Sequence, residues 1–152
     1  MNEDLKEEYF KKLNDNIEKH GYQLTYVSSE NTPAFCYSTG IYRKFGILEL
    51  FISSLPRGLC SEIASNYIES FKNKTPVLID TKLTFLIDNF PVYLIPVAAY
   101  TLEDYILSSI NFYKNEDYKY LQIIYPDTNG YFPDEVGYNY DQEIMGAFIS
   151  HP

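Results

Sequence analysis

The sequence predicts an α+β domain in which a mainly antiparallel sheet packs with about three helices. Three observations predict it. Stretches with apolar residues three or four apart alternate with short, apolar, extended-type runs. The order is helix, strands, helix, strands, helix, strands, without the regular strand–helix alternation of a parallel fold. Glycine, proline and asparagine punctuate the joins. No repeat, linker or low-complexity stretch divides the chain, so residues 1–152 read as a single domain, long enough for one hydrophobic core.

The first helix is predicted over Glu3 to His20. Leu5, Tyr9, Leu13 and Ile17 recur every four residues and make one apolar stripe. Gly21 follows as a C-cap, and His20 would stand at the negative end of the helix dipole. Tyr22 to Ser28, Ala34 to Thr39 and Leu48 to Ile52 read as strands, the last two separated by a loop holding Arg43, Lys44 and Gly46. Pro56 opens a second helix with Leu59, Ile63, Tyr67, Ile68 and Phe71 on one face, ending near Lys74.

Thr84 to Ile87 and Val92 to Ala98 read as an antiparallel hairpin across Asp88, Asn89 and Phe90. Pro91 and Pro96 assign it to an edge or a bulge, because proline donates nothing to a ladder. Thr101 is placed to cap a third helix with Asp104 three residues on, and Leu102, Tyr105, Ile106, Ile110 and Tyr113 form its stripe. Tyr120 to Tyr125 is a strand. Pro126 to Gly130 is a turn, Tyr131 and Phe132 resume extended structure, and the tail from Pro133 is irregular.

Composition narrows function by exclusion. The formal net charge is −9 and the isoelectric point near 4.6, a balance that disfavours nucleic acid and anionic membranes and favours basic partners. The first ten residues are acidic and lack the order of a signal peptide, and the apolar run Val92 to Tyr100 is too short to span a bilayer. Two cysteines, Cys36 and Cys60, make no disulfide framework, so a cytoplasmic protein with reduced thiols is expected. Both read as small buried hydrophobes. His20 and His151 stand in no metal-binding spacing, there is no phosphate-cradling loop, and neither Ser53 nor Ser54 lies in a nucleophile elbow. No catalytic residue, metal or cofactor is expected.

The charge is unevenly spread. From Glu103 onward nine acidic residues face only Lys114 and Lys119, a net −7, and eight of the 16 tyrosines lie in the same third. Tyrosine offers contact area at small entropic cost, and carboxylates steer a cationic partner. Asp117, Tyr118, Tyr120, Asp127, Tyr131, Asp134, Glu135, Tyr138, Tyr140 and Asp141 are therefore the expected partner-binding residues. The alternative is a polar pocket of a small enzyme or ligand-binding domain. Its candidates are His20, Tyr37, Glu49, Gln122 and Asp127, because polar residues within strands either face water or join a buried network.

Several segments in order carry a resemblance: His20-Gly21-Tyr22, Pro33 through Ile41, Leu48-Glu49-Leu50, Tyr120 through Asp127, Gly130 through Pro133, then Gln142 and Gly146. Their joint order and spacing over about residues 20–146 resembles the bacterial family known as domain of unknown function 4262. The chain departs from that pattern where the family favours tryptophan, with Tyr22, Tyr125 and Asp134 in those places. The resemblance implies a small bacterial protein for which a toxin and immunity locus is a fitting context. Size, acidity and the absence of catalytic motifs together point to an immunity protein that neutralises a basic toxin by direct binding. An accessory domain without activity of its own is the third alternative.

Overall fold

Leu13 and Ile17 are the two residues that the first helix buries, one turn apart on the predicted stripe, while Leu5 and Tyr9 at its start stay exposed. The computed structural model describes residues 3–31, 33–73 and 76–150. Its elements are α1 (Glu3–His20), β1 (Gln23–Val27), β2 (Phe35–Thr39), α2 (Ile41–Phe45), β3 (Glu49–Ser53), α3 (Arg57–Phe71), β4 (Tyr93–Val97), α4 (Leu107–Tyr113) and β5 (Tyr120–Ile124). They build an α+β domain on one mixed sheet of order β1-β2-β3-β5-β4.

Three of the four strand pairings are antiparallel, and β3 runs parallel to β5 with Leu50 opposite Leu121. Helices or chain cover both faces of the sheet. On one face Cys36, Leu50, Ile52, Leu94, Leu121 and Ile123 meet Cys60, Ile63, Ala64, Tyr67 and Phe71 of α3. On the other, Tyr37, Phe51, Tyr93, Ile95, Tyr120 and Ile124 meet Leu102, Ile106, Phe132 and the chain around Ile144 to Phe148. Every residue of β3 and β5 is buried, including the polar Glu49, Ser53 and Gln122, because both strands lie inside the sheet with both faces covered.

Four local expectations are corrected. The segment with Arg43 and Lys44 is the short helix α2 and not a loop, because Gly40 and Gly46 take left-handed conformations on either side and Gly46 N–H closes the turn on the Tyr42 carbonyl. Thr84 to Ile87 forms no strand. One bridge, Leu83 to Val92, remains of the expected hairpin, and β4 pairs with β5 as an edge strand instead, the position its prolines indicate. The third helix is broken. A 3₁₀ turn spans Ala99–Leu102, and α4 begins only at Leu107 after Ile106 leaves helical geometry at φ −99°, ψ 46°. The break brings Leu102 and Ile106 to the sheet and turns Ser108 and Ser109 inward, leaving Ile110 exposed. Tyr131 and Phe132 add no strand, since the Tyr131 carbonyl accepts the Asp127 N–H and folds the turn back on itself. The helix end expected near Lys74 lies outside the described residues; α3 itself runs to Phe71.

Gly40 holds the joint between α1, β2 and α2. Its φ is +107°, and a Cβ there would stand 2.9 Å from Ile17 Cγ2 and 3.0 Å from the Gly21 carbonyl oxygen. Gly40→Ala combines left-handed strain with a backbone clash and should cost about 1–3 kcal/mol in thermal or denaturant unfolding. Wild-type stability in that variant would contradict the tightness of the joint.

Candidate functional site

Glu49 is fully buried at the start of β3, and the chain around it is built to receive its carboxylate. Ser38 donates to Oε1 at 2.6 Å, Ile41 N–H donates to Oε1 at 3.2 Å, and Gly40 and Tyr42 N–H donate to Oε2 at 2.9 and 3.1 Å. The Tyr113 hydroxyl donates to Oε2 as well. Ser38 in turn accepts the Leu50 N–H at 2.8 Å. Burial pushes the carboxyl above the ordinary range, against the pull of the Ser38 and Tyr113 hydroxyls and the Tyr42 and Gly40 N–H groups. Glu49 thus ties β2, α2, β3 and α4 into one knot.

A second polar seam runs from the sheet to α4. Ser109 Oγ lies 2.6 Å from both Thr39 Oγ1 and the Tyr120 hydroxyl, and it also donates to the Ser38 carbonyl. Tyr37 accepts the Ser108 N–H at 3.0 Å. The serines are the residues that sequence reading missed. Their signal was a Ser-Ser pair where an amphipathic stripe calls for apolar side chains.

A third group staples the tail to the sheet. Gln122 donates to the Glu143 carbonyl at 2.6 Å and accepts the Met145 N–H at 2.8 Å. Gln142 bonds both the N–H and the carbonyl of Tyr125, replacing a missing strand, and reaches the Tyr138 hydroxyl at 2.7 Å. Asp127 accepts the N–H groups of Asn129, Tyr131 and Asn139, each at 2.9 Å. Burial of that carboxyl opposes ionisation, yet the N–H groups of Tyr131, Asn139 and Asn129 outweigh it and hold Asp127 below the usual carboxylate range. The turn is therefore best held above the unfolded aspartate value and loses this support as pH falls through the depressed native one. Gly146 completes the docking: a Cβ there would stand 2.8 Å from the Pro96 carbonyl oxygen.

Gln142→Ala removes the only side chain that satisfies the Tyr125 backbone at the end of β5 among the described residues. It should cost about 1–3 kcal/mol, with faster amide exchange at Tyr125 and through residues 138–146 while the sheet centre stays protected. Unchanged exchange there would show that the tail is held by its apolar contacts alone.

The expected residues divide accordingly. Tyr37, Glu49 and Gln122 are buried and hydrogen-bonded within the fold, Asp127 caps its turn, and His20 is exposed at the end of α1. They form no open polar pocket in which a substrate would meet free donors or acceptors. Of the expected partner-binding residues, Tyr120 (0% exposed) and Asp127 (2% exposed) are enclosed and cannot reach a partner. Tyr118 is half-buried, stacked 4.5 Å from Tyr113. Tyr138 is half-buried too, whereas Asp117, Tyr131, Asp134, Glu135, Tyr140 and Asp141 are exposed. Asp134 accepts from Ser150, and Glu135 accepts the Phe132 N–H.

Cys36 and Cys60 are buried free thiols that meet across β2 and α3. The hydrogen bond to Cys60, and after it burial, raises Cys36, while the same bond lowers Cys60. Among the described residues no three His, Cys, Asp or Glu side chains are grouped to hold a metal ion, and no helix is long and apolar enough to cross a membrane.

These features define a class: a small mixed-sheet α+β domain whose polar strand residues are spent on stapling its own chain, with an acidic, tyrosine-bearing exterior. Residues 16–139 match the family model described as Domain of unknown function (DUF4262), and the chain belongs to that family. No curated protein sequence and no solved structure matches it.

Proposed function

We propose that this protein is a binding module that docks a basic protein, as an immunity protein does when it neutralises a bacterial toxin domain. The observation that carries the reading is the unneutralised acid of the last third. Of its nine carboxylates all but Asp127 are exposed, and among the described residues only Glu116, paired with Arg43, meets a cation. Exposed like charges left unpaired within the chain raise the field that an incoming cationic surface feels. Tyr131 and Tyr140, 43% and 42% exposed, add stiff aromatic area to that surface. The pocket alternative has less behind it, because Tyr37, Glu49, Gln122 and Asp127 already have partners within the chain and His20 is exposed at the end of α1.

The test is co-expression with a basic toxin domain encoded beside this gene. A stable complex is expected, with an association rate falling roughly tenfold or more as ionic strength rises. Failure to form a complex with any such domain, or a rate indifferent to salt, would overturn the proposal.

A further inference from the structure

Between the start of α3 and the chain after β5 lies an open groove of about 340 Å³. Leu55, Leu59, Ile87, Phe90, Tyr125 and Tyr140 give it an apolar floor and walls. Its size suits one or two large side chains. Phe90 and Tyr140 remain 38% and 42% exposed at its edges. Tyr140 does not swing freely: its hydroxyl donates to the Ser54 carbonyl at 3.0 Å, and its ring stands edge-on to Tyr125 at 5.6 Å. An aromatic wall already fixed in place loses little entropy when something docks on it.

The charged residues that line the groove have one sign. Glu62 and Asp88 line it, and no Lys, Arg or His does. The third lining carboxylate, Asp127, is consumed by the backbone N–H groups of its own turn. Neither Glu62 nor Asp88 takes part in a described ion pair. Asp141, next to Tyr140 in sequence, is exposed. Across Phe90 and Pro126 the adjoining groove does carry a cation, Lys82, and Arg57 at the start of α3 lies over the Tyr26 ring, so the uniform sign belongs to the groove's own lining. A second copy of this chain is a poor occupant, because each copy carries a net −9.

We infer that this groove is the anchor point for the basic partner and takes a chain segment in which a large apolar side chain is flanked by Lys or Arg. The inference rests on the docking reading above and adds where the partner's apolar anchor enters. The apolar side chain fills the space between Leu59, Phe90 and Tyr140, and its cationic neighbours face Glu62 and Asp88. Apolar burial supplies the holding force, and the two carboxylates set direction and partner choice.

The experiment titrates the full chain, labelled with ¹⁵N, with three capped synthetic peptides. One is Lys-Arg-Leu-Phe-Lys-Arg, one replaces Leu-Phe by Ser-Ser, and one replaces every cation by Glu. Saturable amide shifts are expected at Leu59, Asp88, Phe90 and Tyr140 with the first peptide. The other two should bind at least roughly tenfold more weakly, as should the first peptide to Glu62→Lys/Asp88→Lys and to Tyr140→Ala. Circular dichroism of both variants checks that they fold, and both substitute side chains at the groove's edge rather than in the core. Shifts centred elsewhere, no saturable shift, or equal binding of the three peptides would overturn the groove assignment. Failure of the two proposals is distinguishable. A basic protein partner whose affinity is untouched by Glu62→Lys/Asp88→Lys sinks the groove and leaves the docking reading standing. Groove-specific peptide binding without any basic protein partner does the reverse.

Discussion

Raising the pH above about 10 should unfold this protein in one cooperative step, with tyrosine ionisation and loss of structure occurring together. Tyr67, Tyr113, Tyr120 and Tyr125 are enclosed, and burial pushes each phenol above its ordinary value. The charge of Glu49 adds to the rise at the first three. A phenol raised in the native state ionises first in the unfolded chain. The stability it contributes is complete below the unfolded value near 10 and declines as pH climbs from there toward the native one. Each such group removes up to about 1.4 kcal/mol per pH unit, so four together remove up to about 5.5 kcal/mol per pH unit. A domain of this size has about 5–15 kcal/mol in total. Tyrosinate absorbance and far-ultraviolet circular dichroism should therefore change over the same narrow range, between pH about 10 and 12. A gradual phenol titration with the dichroism unchanged would mean that water reaches these rings in the native state.

Replacing Glu49 should be the most damaging single substitution in the chain. Glu49→Ala leaves the N–H groups of Gly40, Ile41 and Tyr42 and the hydroxyls of Ser38 and Tyr113 without their acceptor in a buried place. Each orphaned donor costs about 1–3 kcal/mol before the chain relaxes, so a net loss of about 3–5 kcal/mol is expected. Glu49→Gln keeps the shape but aims an NH₂ at backbone N–H groups whichever way the amide is turned, and should cost about 2–3 kcal/mol. Because burial raises this carboxyl in the native state, the native chain holds the proton to higher pH than the unfolded one. Wild-type stability should thus decline as pH rises above the unfolded glutamate value, a slope that Glu49→Gln removes. Urea unfolding of both proteins across the acid range reads the loss and the slope together. Equal stability of Glu49→Gln and wild type at neutral pH would show that the knot is dispensable.

Much of the fold was legible because its signals are local. The stripe of α1, the extended-type runs of β1, β2, β3 and β5, and the turn at Pro126 to Gly130 are patterns of neighbouring residues, and each element stands where its pattern lies. The segment from Leu102 to Tyr113 misled for a physical reason. Its apolar spacing fits one helix, but Leu102 and Ile106 had to reach a sheet already partly covered, and the helix broke between them. Thr84 to Ile87 carried strand-type residues, yet on the open side of β4 the pairing stops at the single bridge from Leu83 to Val92.

The polar residues show the limit most clearly. Glu49, Gln122 and Asp127 stood out in the sequence because polar side chains in buried strands and turns need partners. The sequence by itself determined that these residues matter, that the domain is α+β, and that its acid and tyrosine gather in the last third. Only the tertiary structure decided what they do. It spent Glu49, Gln122 and Asp127 on the chain's own N–H and carbonyl groups, buried Tyr120, and left Glu62, Asp88, Phe90 and Tyr140 facing one open groove. The reason is that hydrogen-bond satisfaction is settled between residues up to 99 positions apart, as at Tyr9 and Ser108, and no pattern of neighbours along the chain records such a meeting.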